Sequence, residues 1–206
     1  MTDVKSMTME ELKEFMTKIG EKPFRAKQIY AWLHQQLVTS WDEMTNLSKS
    51  LREKLSAYPI TALTQADVRI SKIDGTRKYL FQLEDGNVIE SVLMKYHHGN
   101  SVCISSQVGC RMGCAFCAST LNGCVRDLEA GEILNFVSCA ERDVPCEEGR
   151  KRSVTNIVLM GSGEPLDNYE NVVRFLRLVS APEGMNISPR NISLSTCGLV
   201  PQLRKF

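Results

Sequence analysis

Three closely spaced cysteines are the residues of this sequence best suited to bind a metal centre. Cys110, Cys114 and Cys117 follow a Cys-x3-Cys-x2-Cys pattern within the segment QVGCRMGCAFCAST. Three thiols cannot all pair as disulfides, but their thiolates can converge on one centre. A structural zinc site needs four protein ligands, whereas a [4Fe–4S] cluster offers four irons. The trio therefore indicates a cluster with one iron left for a non-protein ligand, with a zinc knuckle or a group of buried thiols as the alternative.

The residues around these cysteines fit such a role. Gly109 and Gly113 permit the tight backbone that wrapping a cluster demands. Phe116, inside what we call the cysteine loop (residues 110–117), is expected to shield the cluster from water.

Two further segments follow strands that the pattern predicts. The apolar run VTNIVLM leads into Gly-Ser-Gly-Glu (residues 161–164, the Gly-Glu turn), which lacks the third glycine of a dinucleotide fingerprint. A later strand leads into Ser-Thr-Cys-Gly (residues 195–198, the Ser195 turn). In parallel α/β folds ligands gather beyond the carboxyl ends of the strands. We therefore expect Cys110, Glu164 and Ser195 to lie near one another.

Two polar residues occur within predicted strands. Glu90 interrupts an apolar alternation in residues 87–95, where a buried carboxylate is costly unless it is paired or functional. Because Ile89 and Leu93 on the other side are apolar too, an edge strand with two half-exposed faces explains the pattern equally well. Cys103 lies in the next strand, where a lone cysteine is usually a small buried hydrophobe.

The longer string SVCISSQVGCRMGCAFCAST resembles the radical S-adenosylmethionine (SAM) enzymes, and in particular the RlmN-type adenine-C2 RNA methyltransferases. The resemblance implies that the three cysteines hold a [4Fe–4S] cluster and that SAM chelates its open iron. It also implies that Gly163, Glu164 and Ser195 contact SAM. Cys197 stands where relatives often have serine, a mild departure outside the matched residue.

The resemblance also implies a chemistry for the strand residues. Glu90 matches the proton acceptor of the family, and Cys103 matches a cysteine that acts in acid/base chemistry or resolves the covalent RNA–protein adduct. The methyl group passes through a methyl-cysteine intermediate to C2 of adenosine in 23S rRNA and tRNA, with an electron from a flavodoxin- or ferredoxin-like donor. An adenine-C8 methyltransferase of the same superfamily, a non-catalytic iron–sulfur protein and a zinc RNA-binding module are the alternatives.

Family members are longer than 206 residues, and their methyl-carrying cysteine has no counterpart here. We therefore expect this chain to be an N-terminal fragment that is inactive on its own. We also expect it to be monomeric and poorly soluble.

The amino-acid composition indicates the class of protein but does not indicate a binding partner. The chain is 43% hydrophobic and 24% charged, as is usual for a globular protein. It has neither the ~20-residue apolar run of a membrane helix nor a signal-peptide pattern, so we expect no membrane association. Eight cysteines without a secretion signal favour reduced thiols in the cytoplasm. The net charge of +1 does not indicate nucleic-acid binding, so the expectation of RNA rests on resemblance.

The pattern predicts an α/β fold in three parts. Residues 1–60 read as a helical accessory domain, opened by the capping box Thr8-x-x-Glu11. Residues 61–97 alternate with period two and form a β-hairpin extension. Residues 98–206 alternate strand and helix, which favours βαβ units. By resemblance these are the first units of a truncated (β/α)6 radical SAM barrel. His97 and His98 read as surface residues, with metal ligation as a minor alternative.

Overall fold

A computed structural model describes residues 3–97, 99–146 and 148–206, so the surface position expected for His98 lies outside the described residues. The order of elements is three helices, four strands, a small two-stranded hairpin, and then alternating helices and strands. The helices are α1 (Met9–Lys18), α2 (Arg25–His34), α3 (Lys49–Leu55), α4 (Ala130–Asp143), α5 (Tyr169–Ser180) and α6 (Val200–Lys205). The strands are β1 (Thr64–Ile70), β2 (Arg77–Gln82), β3 (Val88–Tyr96), β4 (Gly99–Ile104), β5 (Gln107–Gly109), β6 (Cys124–Asp127), β7 (Val154–Leu159) and β8 (Ile192–Leu194).

The predicted capping box begins α1. The Glu11 backbone N–H donates to the Thr8 hydroxyl at 3.3 Å, and the Thr8 N–H donates to the Glu11 carboxylate at 2.8 Å. Both bonds satisfy donors that a helix start leaves open. Leu12 and Met16, one turn apart, are buried and turn this face of the helix to the core.

The main sheet has six strands in the order β1-β2-β3-β4-β7-β8. The pairings from β1 to β4 are antiparallel, whereas β4, β7 and β8 run parallel. Crossover helices α4 and α5 separate the parallel strands, which is the βαβ arrangement that the alternating pattern predicts. The expected α/β class is therefore confirmed.

The two faces of this sheet have different surroundings. Val102, Ile157 and Leu159 on one face are at most 1% exposed, and α4 lies against the same two strands β4 and β7. Cys103 and Val158, paired in register on the other face, are only half-buried. We call this second side the open face.

One connected hydrophobic core runs from Val4 to Ile187 and includes side chains from the first three helices and from the sheet. The division of the chain at residues 60 and 97 stays a prediction. Within the part of the chain that the structure describes, no helix combines the length and the apolarity that crossing a bilayer requires.

Candidate functional site

The cysteine loop lies directly after β5, at the carboxyl end of β4. Cys110 is 7% exposed, while Cys114 and Cys117 are half-buried, and all three are free thiols. Phe116 is 94% exposed, so the expected shielding of a cluster by its ring is not seen. Its side chain extends from the loop into solvent because no described element packs over it.

Backbone contacts fix the entrance of the loop. The Cys110 N–H donates to the Gly123 carbonyl at 2.9 Å, which ties the loop to the residue before β6. Gly109 has φ +79°, and a Cβ there would collide with the same Gly123 carbonyl. Only glycine both adopts this positive φ readily and lacks the Cβ that would collide.

The donor set suits an iron–sulfur cluster, but the thiols are not drawn together. Cys110, Cys114 and Cys117 are three unpaired thiols in one loop, two of them reachable from solvent, which is the ligand chemistry of such a cluster. Among residues 3–97, 99–146 and 148–206, no group of three or more His, Cys, Asp or Glu side chains has the arrangement of a metal site. Binding a cluster would therefore require the loop to close around it.

The Gly-Glu turn packs tightly against the segment that leads into the cysteine loop. The Ser162 carbonyl accepts the N–H groups of Ser106 and Gln107 at 2.8 and 3.2 Å. Gly163 has φ +100°, and a Cβ there would lie 2.6 Å from the Gln107 backbone nitrogen. This close approach requires glycine, which leaves the turn's backbone against the base of the loop.

The carboxylate of Glu164 joins the second and third motifs. The side chain is buried, its Oε1 accepts the Leu166 N–H at 2.9 Å, and its Oε2 accepts the Cys197 N–H at 2.7 Å. Desolvation of the Cys197 thiol and its hydrogen bond to Glu164 raise the pKa of that thiol to about 11. Ser195, at the start of the same turn, is exposed. The structure thus brings Cys110, Glu164 and Ser195 to one edge of the sheet.

Gln107 connects several segments of the site, and no sequence pattern predicted this role. Its side chain is fully buried, and its amide nitrogen donates to the carboxylates of Asp127 and Asp167, each at 2.8 Å. Its amide oxygen accepts the Glu164 N–H at 2.9 Å. One side chain therefore joins β5, the end of β6 and the Gly-Glu turn. Its partners lie far away in sequence, so no local pattern could have indicated this role.

Glu90 and Cys103 share the open face. Val92 pairs with Cys103 in register, so Glu90, two residues before Val92 on β3, is its diagonal neighbour. The Glu90 side chain is 59% exposed, and its carboxylate forms an ion pair with Lys78 Nζ at 2.7 Å. Burial raises the pKa of the Cys103 thiol above its ordinary value. The edge-strand interpretation is wrong, because β3 pairs with β2 and β4 on its two sides and because Ile89 and Leu93 are buried on its other face. Only the face that carries Glu90 is open, which leaves the carboxylate accessible to a ligand.

Comparison with known proteins identifies similar chains. Residues 2–60 match the family model "Ribosomal RNA large subunit methyltransferase N-terminal domain". The chain is 59% identical over 203 residues to the "Probable dual-specificity RNA methyltransferase RlmN" of Lachnoclostridium phytofermentans, covering 98% of this chain and 55% of that protein. It is 50% identical over 207 residues to the protein of the same name from Clostridium novyi, covering 100% of this chain and 59% of that protein.

A solved structure is also similar. The crystal structure of a radical SAM methyltransferase from Sphaerobacter thermophilus matches with a TM-score of 0.92 and 42% identity, covering all of this chain and 60% of that one. The chain thus spans somewhat more than half the length of the proteins it matches. These matches confirm the resemblance found in the sequence and the partial barrel architecture expected from it.

Proposed function

Because the chain is similar along its whole length to RlmN methyltransferases and shares the fold of a radical SAM methyltransferase, we propose that it is part of an RNA methyltransferase of this type. The proposed reaction is methylation of adenosine C2 in 23S rRNA and tRNA. The observation that carries the proposal is the meeting of the cysteine loop, the Gly-Glu turn and the Ser195 turn at one edge of the sheet. Eight free thiols support a reducing, cytoplasmic setting, and a flavodoxin- or ferredoxin-like protein is the proposed electron donor.

Cys110, Cys114 and Cys117 are the proposed ligands of a [4Fe–4S] cluster. Together with SAM, a cluster held there would supply the radical chemistry that an unreactive carbon requires. The chain's own contribution is to hold the loop at the sheet edge through the Cys110–Gly123 hydrogen bond. Buried Cys110 is the anchored ligand, and the two half-buried cysteines are the ones that would move to complete the site.

Gly163, Glu164 and Ser195 are the proposed SAM contacts, and they act in different ways. Gly163 brings backbone close to the cysteine loop because it has no side chain. Both carboxylate oxygens of Glu164 are occupied by Leu166 and Cys197, so its side chain serves to position the two turns. The exposed Ser195 hydroxyl is free to reach a ligand from the second turn.

Glu90 and Cys103 are the proposed catalytic residues on the open face. The Lys78 ammonium orients the Glu90 carboxylate, which is the form that accepts a proton. The raised pKa of Cys103 keeps its thiol protonated near neutral pH, so it can donate a proton or, once deprotonated by a neighbouring base, attack an adduct. Adenine C2 is an electron-poor carbon, and the base must leave its stack to reach such residues.

An anaerobic assay of the natural full-length protein tests the proposal. The protein is assayed for iron and sulfide and then incubated with SAM, a reductant and RNA, and the digested RNA is analysed by mass spectrometry. We expect bound iron and sulfide and 2-methyladenosine. The 8-methyl isomer would identify the C8 enzyme instead, and a colourless protein with one zinc would refute the proposal.

A variant separates the enzyme from an electron carrier. Cys103→Ala is expected to retain the iron of the wild-type protein and to lose the methylated product. A four-thiolate iron–sulfur protein using Cys103 as its fourth ligand would instead lose iron in this variant.

A further inference from the structure

Arg111 connects the cysteine loop to another part of the molecule. It follows Cys110 directly, and its Nε donates to Asp167 Oδ2 at 2.6 Å. Among the described residues 110–117, Arg111 is the one whose side chain forms a hydrogen bond or ion pair with another element. The rest of the loop is held through its backbone and lies largely exposed.

Asp167 is well placed to transmit this connection. Its N–H donates to the Glu164 carbonyl at 3.0 Å, so it belongs to the segment that continues the Gly-Glu turn. The same Oδ2 atom that binds Arg111 also accepts the buried Gln107 amide at 2.8 Å. Only 18% of the Asp167 side chain is exposed and Gln107 also holds it, whereas the Arg111 side chain is 59% exposed.

We propose that Arg111 and Asp167 are positioning residues that set the distance between the cysteine loop and the Gly-Glu turn. The inference rests on the proposed function, since it matters only if one ligand must touch both segments. The three cysteines are the proposed cluster ligands, and Gly163 lets the backbone of the Gly-Glu turn lie close to the cysteine loop. The ion pair holds the cysteine loop at a fixed distance from the Gly-Glu turn while the loop closes around a cluster. A charge-assisted hydrogen bond suits this task because it is shorter and stronger than a neutral one.

An ordinary surface ion pair is the competing explanation. Exposed pairs typically contribute little, and Arg69 with Asp67 on β1 is such a pair, with side chains 81% and 47% exposed. Arg111–Asp167 differs because Asp167 is additionally held by Gln107 and lies beside Glu164. The Arg69–Asp67 pair thus provides a matched control far from the cysteine loop.

The test uses the natural full-length protein, reconstituted anaerobically with iron and sulfide. Asp167→Asn, Arg111→Met and Arg111→Lys are compared with the control Asp67→Asn. Two quantities are measured: iron bound per chain, and the SAM concentration that gives half of the SAM-induced change in the electron paramagnetic resonance spectrum of the reduced cluster. Thermal unfolding of each variant checks that the fold is intact.

We expect Asp167→Asn and Arg111→Met to bind iron as the wild type does but to need about fivefold more SAM, the upper range for a partly exposed ion pair. Arg111→Lys keeps the charge and is expected to stay within about twofold of the wild type, the lower range for an exposed ion pair. Asp67→Asn should match the wild type.

Two results would overturn the inference. Equal SAM dependence in all variants would make the ion pair an ordinary surface contact, and loss of iron in Arg111→Met and Arg111→Lys alike would make Arg111 a structural residue. If the wild-type protein itself bound no iron and gave no SAM response, the proposed function would fail, which is a different outcome.

Discussion

The carboxylate of Glu164 accepts the backbone N–H of Cys197 at 2.7 Å, which ties the turn after β7 to the turn after β8. The other carboxylate oxygen accepts the Leu166 N–H. Two neighbouring strand ends are therefore joined by one buried side chain. A glutamate that its motif suggests as a ligand contact acts here first as a bridge between the segments that would form the site.

Replacing Glu164 by glutamine should weaken this bridge. The amide keeps one acceptor, but its NH2 group would face a backbone N–H, so one charge-assisted bond is lost. We expect the free energy of unfolding to fall by about 2 kcal/mol, measured by urea denaturation. Glu170→Gln, which alters an exposed pair with Lys205, should leave it unchanged. Equal stabilities of both variants would show that the bridge contributes nothing.

Replacing Gly163 by alanine should lower the free energy of unfolding more than the same change at another glycine with positive φ. Gly86 has φ +86° with open space around it, whereas a Cβ at Gly163 would lie 2.6 Å from Gln107. We expect Gly86→Ala to cost about 1 kcal/mol of unfolding free energy and Gly163→Ala about 3 kcal/mol or more. Thermal and urea unfolding would measure both. A smaller loss for Gly163→Ala would mean that the turn is not closely packed.

Cys103 should react slowly with alkylating reagents near neutral pH. Burial raises the pKa of its thiol, and the thiolate is the reactive form, so its labelling should increase only as the pH rises beyond the ordinary thiol range. Iodoacetamide labelling followed by peptide mass spectrometry would measure this. The exposed Cys146 should be labelled first. Rapid labelling of Cys103 at pH 7 would contradict the protonated thiol assigned to it.

His34 should make the protein less stable in mild acid. It is fully buried, neither ring nitrogen has a hydrogen-bond partner, and burial together with the nearby Lys5 charge lowers its pKa to about 3. The unfolded chain binds this proton near pH 6.5, so stability is fully present above that pH and is lost as the pH falls toward 3. At pH 5 the loss should be about 2 kcal/mol.

The variant His34→Leu should remove this dependence. We expect the difference in unfolding free energy between pH 7.5 and pH 5 to shrink by about 2 kcal/mol relative to the wild type. His97→Gln, at an exposed histidine, is the control and should retain the wild-type difference. The same difference in His34→Leu as in the wild type would assign the acid sensitivity to other groups.

Local patterns predicted the elements of this fold well. The hydrogen bonds between Thr8 and Glu11 follow from the spacing of these residues, which is that of a capping box. The continuous apolar run at β7 is typical of a buried parallel strand. Strand ends then implied that Cys110, Glu164 and Ser195 would lie near one another, and hydrogen bonds that Glu164 makes with Gln107 and Cys197 join the three segments that carry them. These features depend on neighbours in sequence or on a general rule of parallel sheets.

The connections between motifs could not be predicted in this way. Gln107 reaches Asp127 and Asp167, which lie 20 and 60 residues away, and Glu164 reaches Cys197 across 33 residues. Such pairs leave no periodic signal. The hairpin of β5 and β6 was missed as well, because strands of three and four residues are too short to show alternation.

The change from antiparallel to parallel pairing at β4 has a consequence for the route by which the protein folds. Strands β1 to β4 pair through short turns, whereas Cys103 meets Val158 only after the cysteine loop, β5, β6 and α4 have been enclosed. Closing that long segment costs more chain entropy. In pulse-labelled hydrogen exchange during refolding, amides of β2 and β3 should become protected before those of β7. The edge that gathers the three motifs would then be assembled late, on a meander that already exists.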